Sequence, residues 1–136
     1  MNMCPGLCVI MNGGLEASAT AWGVTPHAQK TGTSPGLPYM TGMPERIHIP
    51  RLETPRTKTP PGSVSIGGTQ CCVYSVESPG GFWVLGRTPV RLYDPDAAEP
   101  VLLRPGDRVR FNRIDRAEYD RILARVEARA YTPVVA

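Results

Sequence analysis

Residues 70–89 read QCCVYSVESPGGFWVLGRTP, and this stretch decides the fold class. It begins with an apolar run, and the Ser-Pro-Gly-Gly sequence at 78–81 then forms a strong turn signal with proline at its second position. A second apolar run follows at 82–85. Two short apolar runs separated by a turn predict a hairpin of β-strands in the middle of the chain.

Similar turn signals recur on both sides of this stretch and separate further short runs. The chain has 14 Gly and 15 Pro among its 136 residues, which is above ordinary usage and disfavours long helices. The Pro-rich residues 34–50 are expected to be extended or looped. The runs with strand character are 63–66, 70–76, 82–85, 90–93 and 108–111. Short strands at this spacing predict a mainly β fold, either a sandwich or a small barrel.

Residues 1–31 differ from the middle of the chain. Glu16 is the single charged side chain among residues 1–29, and no steady period of helical or strand type runs through the segment. Because such a segment lacks a patterned apolar face, we expect residues 1–31 to be poorly ordered.

Residues 115–130 predict a helix. Asp115 is a suitable N-cap, and Glu118, three residues later, completes a capping-box pattern. Apolar side chains then recur at helical spacing up to Ala130. We expect this helix to pack on the β domain rather than to recruit a partner.

Charge, hydropathy and cysteine spacing exclude several classes of protein. The 15 basic and 12 acidic residues give a net charge of +3, and the two signs are interspersed, unlike the unopposed basic stripe of a nucleic-acid binder. No stretch approaches the roughly 18 apolar residues that a membrane span needs. Cys4, Cys8, Cys71 and Cys72 do not have zinc-site spacing. We therefore expect free thiols, a reducing cytoplasmic location and no metal site.

A few polar side chains stand among the apolar runs and are candidates for binding. Gln70 begins one run, and Arg87 follows another, where a buried guanidinium must be paired or must meet an anionic ligand. A structural pair with Glu77 across the hairpin and a carboxylate or phosphate site are both open for Arg87. Arg51 and Arg56 lie in a Pro-rich extended run, which would present them as a fixed cationic edge.

A series of short motifs follows one another in a fixed order between residues 35 and 111. They are PGLPYM at 35–40, GMPERIHIPR at 42–51, TPRT at 54–57, PGSV at 61–64, Gln70, Tyr74, ESPGG at 77–81, GRTP at 86–89 and LRPGDRVRF at 103–111. In this order the series resembles the C-terminal half of the allophanate hydrolase subunit 1 family. That family is also named for the B-type subunit of 5-oxoprolinase and for the sporulation kinase inhibitor KipI. The resemblance runs from about Gly32 to about Tyr119.

The resemblance implies a cyclophilin-like β-barrel with a C-terminal helix, a carboxyltransferase-type domain over residues 32–130. Family members begin with an additional α/β subdomain, and residues 1–31 do not resemble it. Because the closing strand of that subdomain is absent, the barrel is expected to be incomplete at its first strand, with an open edge. We expect the gene to be truncated or frame-shifted, or its start codon to be wrongly chosen.

For function, the resemblance implies one subunit of an ATP-dependent amide or lactam hydrolase, of the 5-oxoprolinase or allophanate hydrolase type. A C-type partner, resembling allophanate hydrolase subunit 2, would complete the enzyme, and ATP would bind at the complex of the two. Alone, the chain is not expected to be active. The alternatives are a KipI-like protein that inhibits a histidine kinase and an inactive truncated fragment.

Six residues that match the family motifs have side chains suited to this chemistry. The candidate catalytic residues are His48, Gln70 and Arg87, and the candidate substrate-binding residues are Arg51, Arg56 and Ser78. Arg56 and Arg87 would hold anions, and Gln70 would form a hydrogen bond with an amide. His48 would shuttle a proton.

Overall fold

A computed structural model describes residues 3–11, 23–26, 37–103 and 108–133. These residues form nine strands, one α-helix and a short 3-10 helix at Glu45–Ile47. The elements are β1 (Met3–Met11), β2 (Gly23–Pro26), β3 (Tyr39–Thr41), β4 (Arg56–Thr59), β5 (Ser63–Gly67), β6 (Gln70–Val73), β7 (Ser78–Gly80), β8 (Trp83–Arg87), β9 (Arg108–Arg113) and α1 (Arg116–Glu127).

Seven of the strands pair in a ring. The order is β1-β8-β5-β6-β3-β2-β9, and β9 pairs back with β1. The β1–β9 pair is parallel, and the other pairs in the ring are antiparallel. Strands β4 and β7 form a separate two-stranded ribbon. The prediction of a mainly β fold with a C-terminal helix is confirmed, and the likeness to cyclophilin stays a prediction.

The first strand differs from expectation. β1 pairs with β8 on one side and with β9 on the other, so the open edge expected there is not present. β1 and β2 also lie inside the segment expected to be poorly ordered. They are strands because backbone N–H and C=O groups pair across a ladder whatever the side-chain pattern. The remaining residues of 1–31 lie outside the described part of the chain, and the domain boundary at residue 31 stays a prediction.

The predicted hairpin between the runs at 70–76 and 82–85 is wrong, because β6 and β8 do not pair with each other and β5 lies between them, paired with both. β5 and β6 pair around Gly68, whose positive φ of 59° suits glycine at this turn. The sequence at 78–81, expected to be a turn, instead contains β7, paired with β4 at Ser78 and Gly80. Pro79 lies between these paired positions, where the register is irregular and no N–H is needed from it.

The predicted strand at 90–93 is wrong. Val90 and Leu92 are buried as expected, but their backbone is not part of a ladder, and a single bridge joins Tyr93 to Val101. Leu92 instead accepts a backbone hydrogen bond from Leu102. The apolar pattern therefore indicated burial correctly, while loop hydrogen bonds set the backbone conformation.

Two apolar clusters lie in the interior of the described part of the chain. The larger cluster contains Met40, Val73 and Phe111, and the smaller one consists of Leu37, Cys72, Tyr74 and Phe82 with Tyr39 packed against it. Side chains alternate across a strand, so the adjacent cysteines of β6 separate, Cys71 into the larger cluster and Cys72 into the smaller. Both thiols are free.

Helix α1 begins as predicted and ends earlier. The Asp115 side chain accepts a hydrogen bond from the backbone N–H of Glu118 at 2.8 Å, which confirms the N-cap. After Glu127, Arg129 takes a positive φ of 55° and its guanidinium lies 3.1 Å from the Asp94 carboxylate, which ties the helix end to a loop. Tyr119 and Ile122 are its buried side chains. None of the helices in the described part of the chain has the length and apolar character needed to cross a membrane.

Replacement of Asp115 by Ala is expected to lower the free energy of unfolding by about 1 kcal/mol, because the N–H of Glu118 loses its acceptor. Urea unfolding followed by circular dichroism measures this change. Asp120→Ala is the matched control, since it removes only an exposed ion pair with Arg116 and should cost less than about 0.5 kcal/mol. Equal losses for the two variants would contradict the capping role.

Both buried thiols should resist alkylation in the folded protein. Burial raises the pKa of Cys72 to about 12 and also raises that of Cys71, so the reactive thiolate is scarce near neutral pH and becomes populated only as pH rises toward the raised pKa. Iodoacetamide labelling followed by mass spectrometry should leave positions 71 and 72 unmodified in native buffer and modify them in urea. Labelling of either thiol in the native state would contradict this burial.

Candidate functional site

The six candidate residues from the sequence fall into three places. His48 and Gln70 lie near the turn between β5 and β6, Arg87 ends β8, and Arg51, Arg56 and Ser78 lie around the ribbon of β4 and β7. The structure therefore does not gather all six residues into one pocket. It brings the three candidate substrate-binding residues together, and the proposed roles of all six remain predictions.

A cavity of about 380 Å³ opens beside this ribbon, and we call it the ribbon cavity. Residues that give it its chemical character are Tyr39, Arg51, Tyr74, Ser78, Gly80 and Phe82. The smaller apolar cluster forms its floor, since Tyr74 and Phe82 belong to both. The cavity therefore combines an aromatic floor with one guanidinium and several hydroxyl groups.

Arg51 lies over the aromatic floor. Its Cζ atom is 4.8 Å from the centroid of the Phe82 ring, which is cation–π geometry. The Phe82 side chain is buried, and Tyr39 packs edge-on against it with 6.0 Å between ring centroids. The Arg51 residue itself is exposed, so its charge is available to a ligand that enters from solvent.

Two tyrosine hydroxyls face the same region as hydrogen-bond donors. Burial raises the pKa of Tyr39 and of Tyr74, the neighbouring Cys72 raises both further, and the charge of Arg51 offsets part of the rise. Both phenols are therefore protonated near neutral pH. The Tyr74 hydroxyl faces the side chain of Thr59, which offsets part of the rise in the Tyr74 pKa, and the buried Oγ1 of Thr59 has no partner within hydrogen-bonding geometry among the described residues.

The ribbon supplies the opposite wall. Ser78 lines the cavity, and its Oγ donates to the carbonyl oxygen of Val76 at 3.3 Å. At Gly80 a Cβ atom would overlap the Tyr74 hydroxyl and lie 2.7 Å from its Cζ, so the absence of a side chain there lets the tyrosine reach the wall. Arg56 stands behind this wall rather than among its lining residues, and its Nη1 donates to the carbonyl oxygen of Phe82 at 2.8 Å.

His48 and Gln70 are near the backbone bridge between Ile49 and Gly68. The Nε2 atom of His48 lies 3.1 Å from the carbonyl oxygen of Met43, which places the proton on Nε2, because a carbonyl can only accept. Gln70 is half-buried at the start of β6. Neither residue is among those that line the ribbon cavity.

Arg87 lies elsewhere and is exposed, so the expected buried guanidinium is wrong. Its Nε donates to the carbonyl oxygen of Pro61 at 3.3 Å, and it lines a second cavity of about 180 Å³ beside α1. The alternative of a pair with Glu77 is also wrong, because the carboxylate of Glu77 lies 3.4 Å from Nζ of Lys58 across the ribbon.

The sequence pattern did not reveal the aromatic residues of the ribbon cavity. Tyr39 and Tyr74 lie within the family motifs, but neither they nor Phe82 stood out as binding residues. A usable signal existed, since a tyrosine in an apolar strand must find a partner for its hydroxyl. In the described part of the chain, no three His, Cys, Asp or Glu side chains group closely enough to hold a metal ion.

The chemistry of the ribbon cavity is that of binding and polarisation. A guanidinium can hold a carboxylate, and protonated phenols can donate to a carbonyl oxygen. An aromatic floor suits a flat, partly apolar ligand. Because both phenols are held protonated, neither serves as a general base near neutral pH.

Comparison with known proteins places this site in a family. Residues 23–103 match the family described as carboxyltransferase domain, subdomain C and D. The B-type subunit of 5-oxoprolinase from Escherichia coli O157:H7 is 51% identical over 80 residues, which are 59% of this chain and 37% of that protein. A urea amidolyase of Lachancea kluyveri is 39% identical over 71 residues, covering 48% of this chain and 4% of that protein.

Among solved structures, a conserved uncharacterized protein from Pyrococcus horikoshii superposes with a TM-score of 0.73 at 34% identity, covering 84% of this chain and 60% of that one. The chain thus spans well under half of the Escherichia coli relative that it matches. The family match starts before Gly32, where the motif series begins its resemblance, and it includes every residue named above as shaping the ribbon cavity. This chain belongs to the carboxyltransferase domain, subdomain C and D family.

Proposed function

We propose that this chain is part of a subunit of an ATP-dependent amide or lactam hydrolase and that it works with a C-type partner subunit. The observation that carries the proposal is the ribbon cavity, where one guanidinium and two protonated phenols surround an aromatic floor inside the family match. The similarity to the B-type subunit of a 5-oxoprolinase supports a small cyclic amide that bears a carboxylate as the substrate.

In this proposal each group of the cavity has one task. Arg51 binds the substrate carboxylate, because a guanidinium recognises a carboxylate through charge-assisted hydrogen bonds. Tyr39 and Tyr74 donate to the amide oxygen, where negative charge develops as the amide is attacked. Phe82 packs against the flat ring, and the Ser78 hydroxyl offers a further polar contact at the wall.

ATP does not belong in the ribbon cavity. A triphosphate is held by several cations or by a glycine-rich loop that opens a helix, whereas Arg51 is the single cation among the described residues that line this cavity. The proposed place for ATP is therefore the complex, on the partner subunit or at the joint surface. When bound there, ATP would supply the phosphoryl group that activates the amide oxygen, so that water could attack the carbonyl carbon and the ring C–N bond could break with nitrogen as the leaving group. We also place the chain in the cytoplasm, which the free thiols of Cys71 and Cys72 support.

The first test co-produces the chain with a C-type subunit of a 5-oxoprolinase and measures ATP-dependent glutamate formation from 5-oxoproline. Wild type should turn over, and Arg51→Met should lower kcat/KM by about a hundredfold through loss of the carboxylate contact. Arg46→Met is the matched control, since it removes one exposed arginine from the nearby 3-10 helix and should stay within about twofold.

Several outcomes contradict the proposal. Failure of the chain to bind any C-type subunit supports an inactive fragment, and tight binding to a purified histidine kinase supports a KipI-like regulator. If the Arg51 and Arg46 variants are equally active, the complex is an enzyme but the ribbon cavity takes no part in its mechanism.

Arg87 provides a separate test of the sequence-based assignment. If it holds an anion at the joint surface, Arg87→Ala should abolish turnover in the complex without unfolding the chain, because the side chain is exposed and its bond to Pro61 is long. Activity and the urea midpoint are both measured. Full activity in this variant rejects a catalytic role for Arg87.

A further inference from the structure

Three hydrogen bonds join two segments that are distant in sequence. We call residues 50–56 the strap and residues 81–83 the floor segment. The backbone N–H of Leu52 donates to the carbonyl oxygen of Gly81, and Nη1 of Arg56 donates to that of Phe82, each at 2.8 Å. The indole Nε1 of Trp83 donates back to the carbonyl oxygen of Pro50, also at 2.8 Å.

Arg51 lies between these anchors. Pro50 and Leu52, its two chain neighbours, are each hydrogen-bonded to the floor segment, so the backbone of Arg51 is fixed on both sides. The packing is close as well, since a Cβ atom built on Gly81 would lie 3.9 Å from the Cβ of Arg51. A fixed backbone and the Phe82 ring together restrict where the guanidinium can go.

Arg56 and Trp83 make these bonds from outside the cavity. Neither residue is among those that line the ribbon cavity, and Arg56 already uses Nη1 on the carbonyl oxygen of Phe82. Trp83 has an exposed fraction of 39%, which sets it apart from the buried aromatic residues of the floor in the described part of the chain. Its N–H anchor gives a reason for a tryptophan at a position that leaves more than a third of the residue exposed.

We infer that Arg56 and Trp83 are positioning residues that hold Arg51 over Phe82, and that Arg56 does not bind the ligand itself. This inference deepens the proposed function and rests on it for the statement that Arg51 contacts the ligand. It also gives the two arginines of the strap different roles, whereas the sequence analysis names both as substrate-binding residues and expects Arg56 to hold an anion. Arg51 supplies the positive charge that contacts the ligand, and Arg56 fixes the floor segment that holds Arg51 in place.

The reason for such a device is entropic. An arginine on an exposed loop samples many rotamers, and binding a ligand through it requires that this freedom be lost. A strap that fixes the backbone and a ring that holds the guanidinium remove much of the freedom before the ligand arrives, so the site is preorganised. Loosening the strap should therefore weaken ligand binding through Arg51 without removing a ligand contact.

The first measurement does not depend on the proposed function. In the full chain, the side-chain ¹H–¹⁵N signal of Arg51 should be shifted upfield by the Phe82 ring, and Arg51→Lys identifies that signal by its loss. Trp83→Phe keeps an aromatic ring and removes only the N–H donor, and Arg56→Met keeps the length and removes the donor. Both variants should lose the upfield shift, whereas Arg46→Met, the matched charge control, should keep it.

The second measurement is a double-mutant cycle in the complex with a C-type subunit, with 5-oxoproline as the probe. Arg56→Met and Trp83→Phe should each raise KM by about tenfold with little change in kcat. If Arg56 acts through Arg51, adding Arg56→Met to Arg51→Met should cost almost nothing further, because the group being positioned is already gone.

The outcomes separate the inference from the proposed function. Loss of the upfield shift with non-additive KM effects supports the inference. An unchanged Arg51 signal in both strap variants overturns it, and so do KM effects of Arg51→Met and Arg56→Met that add, since those indicate that Arg56 binds the probe directly. If no complex turns over, the proposed function fails, and the spectra of the isolated chain still decide whether the strap holds Arg51.

Discussion

Strand β5 is the constraint on which the rest of the structure depends. All five of its residues are buried, and it pairs with β6 on one side and with β8 on the other. Once β6 is fixed in this register, strand alternation sends Cys71 to the larger apolar cluster and Cys72 to the smaller one. β8 pairs with β5 from Trp83 onward, and Phe82, the residue before it, belongs to the smaller cluster.

The ribbon cavity follows from this arrangement. The smaller cluster supplies an aromatic floor, the ribbon of β4 and β7 supplies a wall, and the strap places a guanidinium above the floor. Burial keeps the phenols of Tyr39 and Tyr74 protonated, and the charge of Arg51 limits how far their pKa values rise. Among the described residues the cavity therefore has one positive charge and two neutral donors, and this composition is the basis for proposing a carboxylate-bearing amide rather than a polyphosphate as its ligand.

Sequence signals predict correctly the elements whose structure depends on interactions between residues close together in the chain. The cap at Asp115 and the strands around Gly68 need only neighbouring residues, and both are predicted correctly. The Ser-Pro-Gly-Gly sequence has the composition of a turn. Its pairing partner, β4, lies some twenty residues earlier, so the residues around 78–81 do not indicate that they pair as a strand. For the same reason the sequence names Arg51, Arg56 and Ser78 as binding residues without indicating which of them faces the cavity. That distinction depends on hydrogen bonds between the strap and the floor segment, which only the folded chain brings together.

The central claim is that the ribbon cavity binds the carboxylate of a small cyclic amide through Arg51. A crystal structure of the chain with a C-type subunit and 5-oxoproline tests it most directly. The account predicts the carboxylate within about 3 Å of the Arg51 guanidinium, with the ring of the ligand against Phe82. A ligand bound at another place in the complex, with the ribbon cavity filled by solvent, would contradict the claim.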